Sequence, residues 1–223
     1  MIKLTNVSYI SVIIAICVLV HLVGQGHCFG EDKTPKKHLL KDGWSPGGNI
    51  IIRYYVDGED IYTYTGDIWL YSDKDLSKKE LLFSFRHDAD VLISPDEKWL
   101  VINHKLGPSR IDALLFQQLN GLKYKEIKLL NPQAWAIFKH AHTQYKLPEF
   151  HHIYVEAVQW SSDSKSVMIQ VHGHDNNSPA ATEPWYCIYD LTTGKMTLDF
   201  NRVFNRDTYH PDGKAKGREL FWN

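Results

Sequence analysis

Apolar and polar positions along this 223-residue chain fall into short alternating or continuous apolar runs of about four to eight residues, the lengths of strands. Clusters of Ser, Pro, Asp, Gly and Lys interrupt them. In "LISPDEKWLVIN" (Leu92 to Asn103) an apolar approach enters Ser94-Pro95-Asp96, turns over Glu97-Lys98 and resumes at Trp99. Proline presets φ at the first central turn position, and Asp or Gly suits the next corners. The pattern recurs in "GWSPGGNIII", in "VQWSSDSKSVMIQV" and in "YHPDGKAKG", with turns at 46, 95, 162 and 211. The spacings are 49, 67 and 49, so a repeat of about 49 residues carries roughly 18 extra in its middle interval. The segments after each turn read as further strands. The pattern therefore predicts all-β, four-stranded antiparallel meander units, strands A to D, over about 39–86, 87–130 and 153–200, with a stub over 201–223.

The extra residues predict one helix. Asn131-Pro132 reads as an N-cap followed by proline at the first helical position, and the segment stops before Leu147-Pro148. Trp135, Phe138, His142 and Tyr145 form a stripe at helical spacing, which predicts a core-facing helix over about 132–145.

These residues resemble a family. Ser-Pro-Asp-Gly-Lys between the first two strands, an apolar strand, then an "IW" or "IY" strand ("DIWLYSD", "WYCIYDL") is similar to the TolB-type, WD40-like β-propeller repeat. The resemblance covers about 39–130 and 153–220, and implies a small or partial propeller. Two features depart from it. The chain holds three units and a stub where the family has six or more blades, and only the Pro95 and Pro211 turns keep Pro-Asp. Three blades do not close a ring. Either "RELFWN" (218–223) completes a blade, or open edges associate with another copy or another chain.

The first 28 residues alter the picture of where the protein works. Lys3 precedes an apolar stretch from about Tyr9 to Val23, with Gly24 and Gly26 after it. That run is short for a bilayer span and fits a cleaved secretory leader, so a secreted or periplasmic protein with no stable membrane span is expected, with the β domain over 29–223. Charge adds an exclusion: 25 Lys+Arg against 26 Asp+Glu gives no basic excess for a nucleic-acid partner. Three cysteines exclude a disulfide framework. Cys187 reads as a buried strand thiol, or as the partner of Cys28 if that residue survives processing.

Candidate chemistry is concentrated in histidine. Six of the twelve lie between 140 and 174. In a meander unit, the D–A and B–C connections emerge at one end of the strands. His87, His151 and His152 fall in D–A connections; His104, His172 and His174 end B strands. These residues, with Asp175 and the aromatic Trp185 beside the B–C loop, make up the expected partner face, for a protein, peptide or glycan. Trp185 is also readable as a blade core residue. On a strand, His172 and His174 point to one side, a geometry that lets two imidazoles share a metal with Asp175. A metal ion at His172, His174 and Asp175 is therefore the alternative, as part of a metal-assisted hydrolase or lyase. No HExxH, CxxC pair, GxSxG elbow or phosphate-binding glycine loop is present. The expectation is a non-catalytic exported binding module without a cofactor.

Overall fold

Residues 37–57, 65–141, 152–174 and 184–199 are described by the computed structural model. Twelve strands follow in meander order. The first unit is β1 (His38–Trp44), β2 (Ile50–Asp57), β3 (Thr65–Ser72) and β4 (Asp75–Arg86). The second is β5 (Asp88–Ile93), β6 (Trp99–Lys105), β7 (Arg110–Asn120) and β8 (Lys123–Leu129). After α1 (Asn131–Ala141) comes the third: β9 (His152–Trp160), β10 (Ser166–His174), β11 (Trp185–Asp190) and β12 (Lys195–Thr197). Within each unit every strand pairs antiparallel with the next. Among the described residues the chain is all-β, built from four-stranded meander units of a partial β-propeller with one inserted helix. A short parallel contact, Arg110 with Ile153 and Ile111 with Tyr154, joins the second and third units into one eight-stranded sheet.

The units pack face to face, and strand alternation divides the core in two. Ile52, Tyr54, Ile68, Leu70 and Phe85 of the first unit meet Ile93, Leu100, Ile102 and Phe116 of the second. The intervening Val101, with Ala113 and Leu115, turns the other way, onto Val155, Val167, Ile169 and Trp185 of the third unit and Phe138 of α1. Both faces of the second unit are thus buried, which is why "WLVIN" is a continuous apolar run rather than an alternating one. Truncating one such side chain to Ala costs about 2–5 kcal/mol.

The helix differs from its predicted start. Leu130 O accepts Ala134 N at 3.1 Å, so Leu130 stands at the capping position and Asn131 is already helical. The Asn131 side chain faces β7 instead of its own helix. Its Oδ1 accepts Ala113 N at 2.9 Å, and its Nδ2 donates to Ile111 O and to Asp112 Oδ1. Phe138 is buried and Trp135 packs beside it at 4.9 Å, as the stripe predicts. The helix is described as far as Ala141; His142 and Tyr145 lie outside the described residues.

The A–B turns share one design. Ser45, Ser94 and Ser161 each accept from the backbone N–H five residues on, at Ile50, Trp99 and Ser166. The fourth turn residue has left-handed φ in all three: Gly48 at 74°, Glu97 at 59° and Ser164 at 59°. In the second and third turns an aspartate locks the bend. Asp96 Oδ1 accepts Ser94 Oγ and Lys98 N, and Asp163 Oδ1 accepts Ser161 Oγ and Lys165 N. The first turn has Gly47 there. Its missing carboxylate comes from the next unit: Glu97 Oε1 accepts Ser45 Oγ and Asn49 N. A Cβ on Gly47 would lie 2.6 Å from Glu97 Oε1, so the borrowed carboxylate occupies the place of the local one. Ser164 makes the corresponding reach, its Oγ accepting Asp96 N at 3.0 Å. Glu97 and Ser164 therefore hold a conformation that suits glycine because their side chains tie consecutive turns together.

A second tie lies on the inner strands. Tyr54 Oη accepts Val91 N at 3.0 Å. Asn103 replaces it one unit later with two bonds, donating to Ala157 O and accepting Ala157 N, both at 2.8 Å.

Two predictions follow from these ties. Gly47→Asp and Glu97→Gly are each expected to lower unfolding free energy by about 1–2 kcal/mol, and the double variant to recover most of it because the first turn regains a local carboxylate. Urea unfolding of all four proteins measures the coupling; additive losses would show that the carboxylate is not shared. Asn103→Ala is expected to cost about 2–3 kcal/mol by leaving two backbone groups of Ala157 unpaired, read as a shift in the same urea midpoint.

Candidate functional site

The site forms where β9 and β10 leave the third unit, beside the β6–β7 loop of the second. Antiparallel register places His152 opposite His174, Tyr154 opposite His172, and Glu156 opposite Gln170. Strand alternation directs all six to the face away from Val155, Ala157, Val167 and Ile169, which belong to the core. Gly173 does not interrupt the pairing: β10 continues through His174.

The rings stack into a shelf. His152 and His174 lie 4.2 Å apart at 11°, and Tyr154 and His172 lie 4.6 Å apart at 20°. The diagonal pair, Tyr154 and His174, is 5.7 Å apart at 25°. One hydroxyl organises the edges. Tyr154 Oη donates to Pro108 O at 2.7 Å, and it lies 3.2 Å from both His152 Nδ1 and His174 Nε2. With its proton committed to Pro108, the oxygen accepts from imidazole N–H groups. A parallel chain runs through the inner residues. Tyr186 Oη donates to Gln170 Oε1 at 3.0 Å, and Gln170 Nε2 is 3.4 Å from His172 Nδ1. Fixed by the tyrosine, the amide presents a donor to His172, whose Nδ1 is then an acceptor.

Electrostatics agrees with that tautomer. Burial, with the neighbouring His174, holds His172 below the ordinary imidazole value of 6.5. Burial, then Asp90, raises Glu156 above the ordinary carboxyl value, with Lys105 opposing. Burial, then Glu156, raises the Tyr154 phenol. The shelf is ring-faced, with the Glu156 carboxyl at the inner end of the strands.

The other expected residues distribute unevenly. His104 ends β6 and His87 occupies the β4–β5 corner with φ of 77°, so both stand at the same end of their unit as the shelf does of its own. They belong to a different junction. His104 packs edge-on to Phe83 of the first unit at 5.0 Å, and burial lowers its pKa, with Asp112 opposing. The expected single histidine face is therefore two groups, at successive unit junctions. Trp185 needs a correction: it is 1% exposed, and its ring meets Phe138 at 5.4 Å edge-on. It anchors the core beneath the helix and offers no partner surface. His151 and Asp175 lie outside the described residues.

For a metal, His172 and His174 supply two imidazoles on one face. His174 Nε2 and His172 Nδ1 are engaged by Tyr154 and Gln170. Among the described residues, no group of three or more His, Cys, Asp or Glu side chains is arranged to hold an ion. Cys187 is a free, fully buried thiol, its pKa pushed up by burial.

Sequence reasoning missed Tyr154, Gln170, Tyr186 and the Pro108 carbonyl. One signal was available: "HIYVE" alternates, placing His152, Tyr154 and Glu156 on one side once it is read as strand. His152 falls in the expected D–A connection, one residue before the expected third unit, so its alternation with Tyr154 and Glu156 goes unseen.

No protein-family model matches the chain, and no curated protein matches it. Solved structures do. An acylaminoacyl peptidase from Pyrococcus horikoshii aligns at 12% identity and a TM-score of 0.42, over 74% of this chain and 26% of that one. A protein assigned as TolB from Agrobacterium tumefaciens aligns at 17% identity and a TM-score of 0.36, over 79% of this chain and 52% of that one. A protein assigned as a 6-phosphogluconolactonase from Bacteroides uniformis aligns at 14% identity and 0.32, over 66% and 39%. This chain spans about a quarter to a half of their lengths, and likenesses at these scores assign it no activity.

Proposed function

We propose that the protein is an exported, non-catalytic binding module that takes a protein, peptide or glycan partner on the D–A/B–C end of its third unit. The carrying observation is the stacked shelf of His152, Tyr154, His172 and His174, held by Pro108 O and the Tyr186–Gln170 chain. Flat ring faces suit the apolar face of a sugar or an aromatic or proline side chain. Ring N–H and hydroxyl edges supply directional hydrogen bonds, and their rotamers are already fixed by mutual stacking. Nothing in the shelf pairs a nucleophile with a base: Tyr154 gives its proton to a backbone carbonyl, and His172 accepts from an amide. Export rests on the leader-like first 28 residues; among the described residues, no helix is long and apolar enough to cross a membrane.

Binding is tested with purified protein on glycan and peptide arrays. The unaltered protein is expected to retain a defined set of ligands, and His172→Ala with His174→Ala to lose them with its circular dichroism unchanged. A double variant that keeps the same set would place the binding surface elsewhere. N-terminal sequencing of protein recovered outside the cytoplasm is expected to begin between Gly26 and Phe29; an intact Met1 would remove the leader.

The shelf also predicts a pH dependence. His172 titrates below its ordinary 6.5 in the folded protein, so the unfolded chain binds the proton first as pH falls. Stability is full above about pH 6.5 and declines from there down to the folded value. His104 shifts the same way. Urea midpoints measured from about pH 7.5 to about pH 5 are expected to fall, and His172→Gln to flatten part of the decline. An unchanged slope in that variant would mean that His172 is not the titrating group.

A further inference from the structure

At the end of the strands opposite the shelf, the turns of the first two units build a cleft together. The β1–β2 and β3–β4 turns line one side, and the β5–β6 and β7–β8 turns line the other. Its apolar lining is Ile50 and Leu122, which also belong to the core between those units. A volume of about 570 Å³ is in the range of small-molecule sites. The strand that borders the cleft is altered there. Tyr71 pairs with Lys79 while Ser72 pairs with Asp75, so Leu76, Ser77 and Lys78 are extra residues with no partner on β3. The matching ladder of the third unit has no such excess: Ile188, Tyr189 and Asp190 pair in unbroken register with Thr197, Met196 and Lys195. Asp75 holds the bulge, its Oδ1 accepting Ser77 N at 3.1 Å and Ser77 Oγ at 2.6 Å. A bulge re-aims side chains, and this one adds Ser77 and Lys78 to the cleft.

The lining is a mixture of unequal charge. Lys74, Lys78 and Lys79 from the first unit and Lys123 from the second stand against Glu80 and Glu97. Lys79 Nζ lies over the Trp69 ring at 5.2 Å, and Lys78 is 3.8 Å from Asp75. Among the described residues, Lys74 and Lys123 have no ion pair, and Glu80 makes neither a hydrogen bond nor an ion pair. The Glu97 carboxylate is already taken by Ser45 and Asn49. Lysines on a sheet edge deter strand pairing, but that role needs no cleft, no bulge and no lysine from a second unit. We propose that this cleft is a second binding site, for an acidic saccharide: a sugar bearing a carboxylate or a sulfate ester. The lysines take the acid group, for which each ammonium offers a charge-assisted hydrogen bond. Glu80 accepts from sugar hydroxyls, and the amide of Asn120 and the hydroxyl of Ser72 supply neutral hydrogen-bonding groups beside it. Ile50 and Leu122 meet the C–H face of the ring.

Calorimetric titration of the full chain at low ionic strength tests this, with four probes: a glucuronate-bearing disaccharide, a sulfated disaccharide, neutral cellobiose and inorganic sulfate. At least one acidic disaccharide is expected to bind, with cellobiose and inorganic sulfate weaker by about tenfold or more, the loss of a charge-assisted bond. Which of the two binds separates a carboxylate from a sulfate ester. Lys78→Glu with Lys123→Glu is expected to abolish that binding with circular dichroism unchanged. Glu80→Ala separates a saccharide site from a patch that only attracts anions. Losing a negative charge would tighten a charge-only patch, whereas losing an acceptor for sugar hydroxyls weakens binding by about tenfold. No binding of either acidic disaccharide, equal binding of inorganic sulfate, binding that survives the lysine exchange, or tighter binding by Glu80→Ala would each overturn the proposal.

Discussion

The constraint on which the molecule depends is that the second unit has two apolar faces and cannot hide both by itself. Val101 points into one core and Ile102 into the other, and both are fully buried. The second unit is therefore stable only between neighbours. Hydrophobic contact of this kind is non-directional, so it leaves the sliding of one sheet over the next weakly specified. Polar ties supply the missing direction. Asn103 bonds both the N–H and the C=O of Ala157, which fixes β6 against β9 to within one residue. Glu97 and Ser164 do the same between turns at the other end of the strands.

These ties explain turn chemistry that looks irregular in isolation. Gly47, Asp96 and Asp163 occupy one position, and only two of them carry a carboxylate. The first turn is nevertheless built alike, because Glu97 delivers an oxygen from outside. Glu97 must adopt φ of 59° to do so, a conformation unfavourable for a residue with a Cβ. A local backbone cost is thus exchanged for a contact between units. Sequence repeats of this type conserve geometry while their residues vary.

The fold was legible because its punctuation is local. Ser-Pro-Asp and Ser-Ser-Asp bends declare themselves within five residues, and their spacing yields the meander units. Within those units, alternation put His172 and His174 on one side. What could not be read was anything set by pairing across strands. The stack of His152 on His174 depends on the β9–β10 register, which includes an irregularity between Met168 and Ile169. The bond from Tyr154 to Pro108 links residues 46 positions apart on different units. Asn131 resembles a helix cap by local rules, yet it serves β7, because Ala113 N and Ile111 O lie beside it only after folding. Trp185 carried two readings, and Phe138, contributed by the inserted helix, decided for the core.

The site follows from the same logic as the scaffold. Its rings project from two paired strands and are pinned by the Pro108 carbonyl of a loop in the preceding unit, so their placement depends on the junction between those units. His152 is 9% exposed and serves as a floor, while Tyr154, His172 and His174 are half-buried. A partner placed on this shelf meets groups whose hydrogen-bonding roles are already assigned, since Pro108 O takes the Tyr154 proton and Gln170 sets the His172 acceptor. Protonating His172 would bring a second donor against the Gln170 amide, which Tyr186 prevents from turning over. The amide chain therefore couples the charge state of the shelf to Tyr186 on β11.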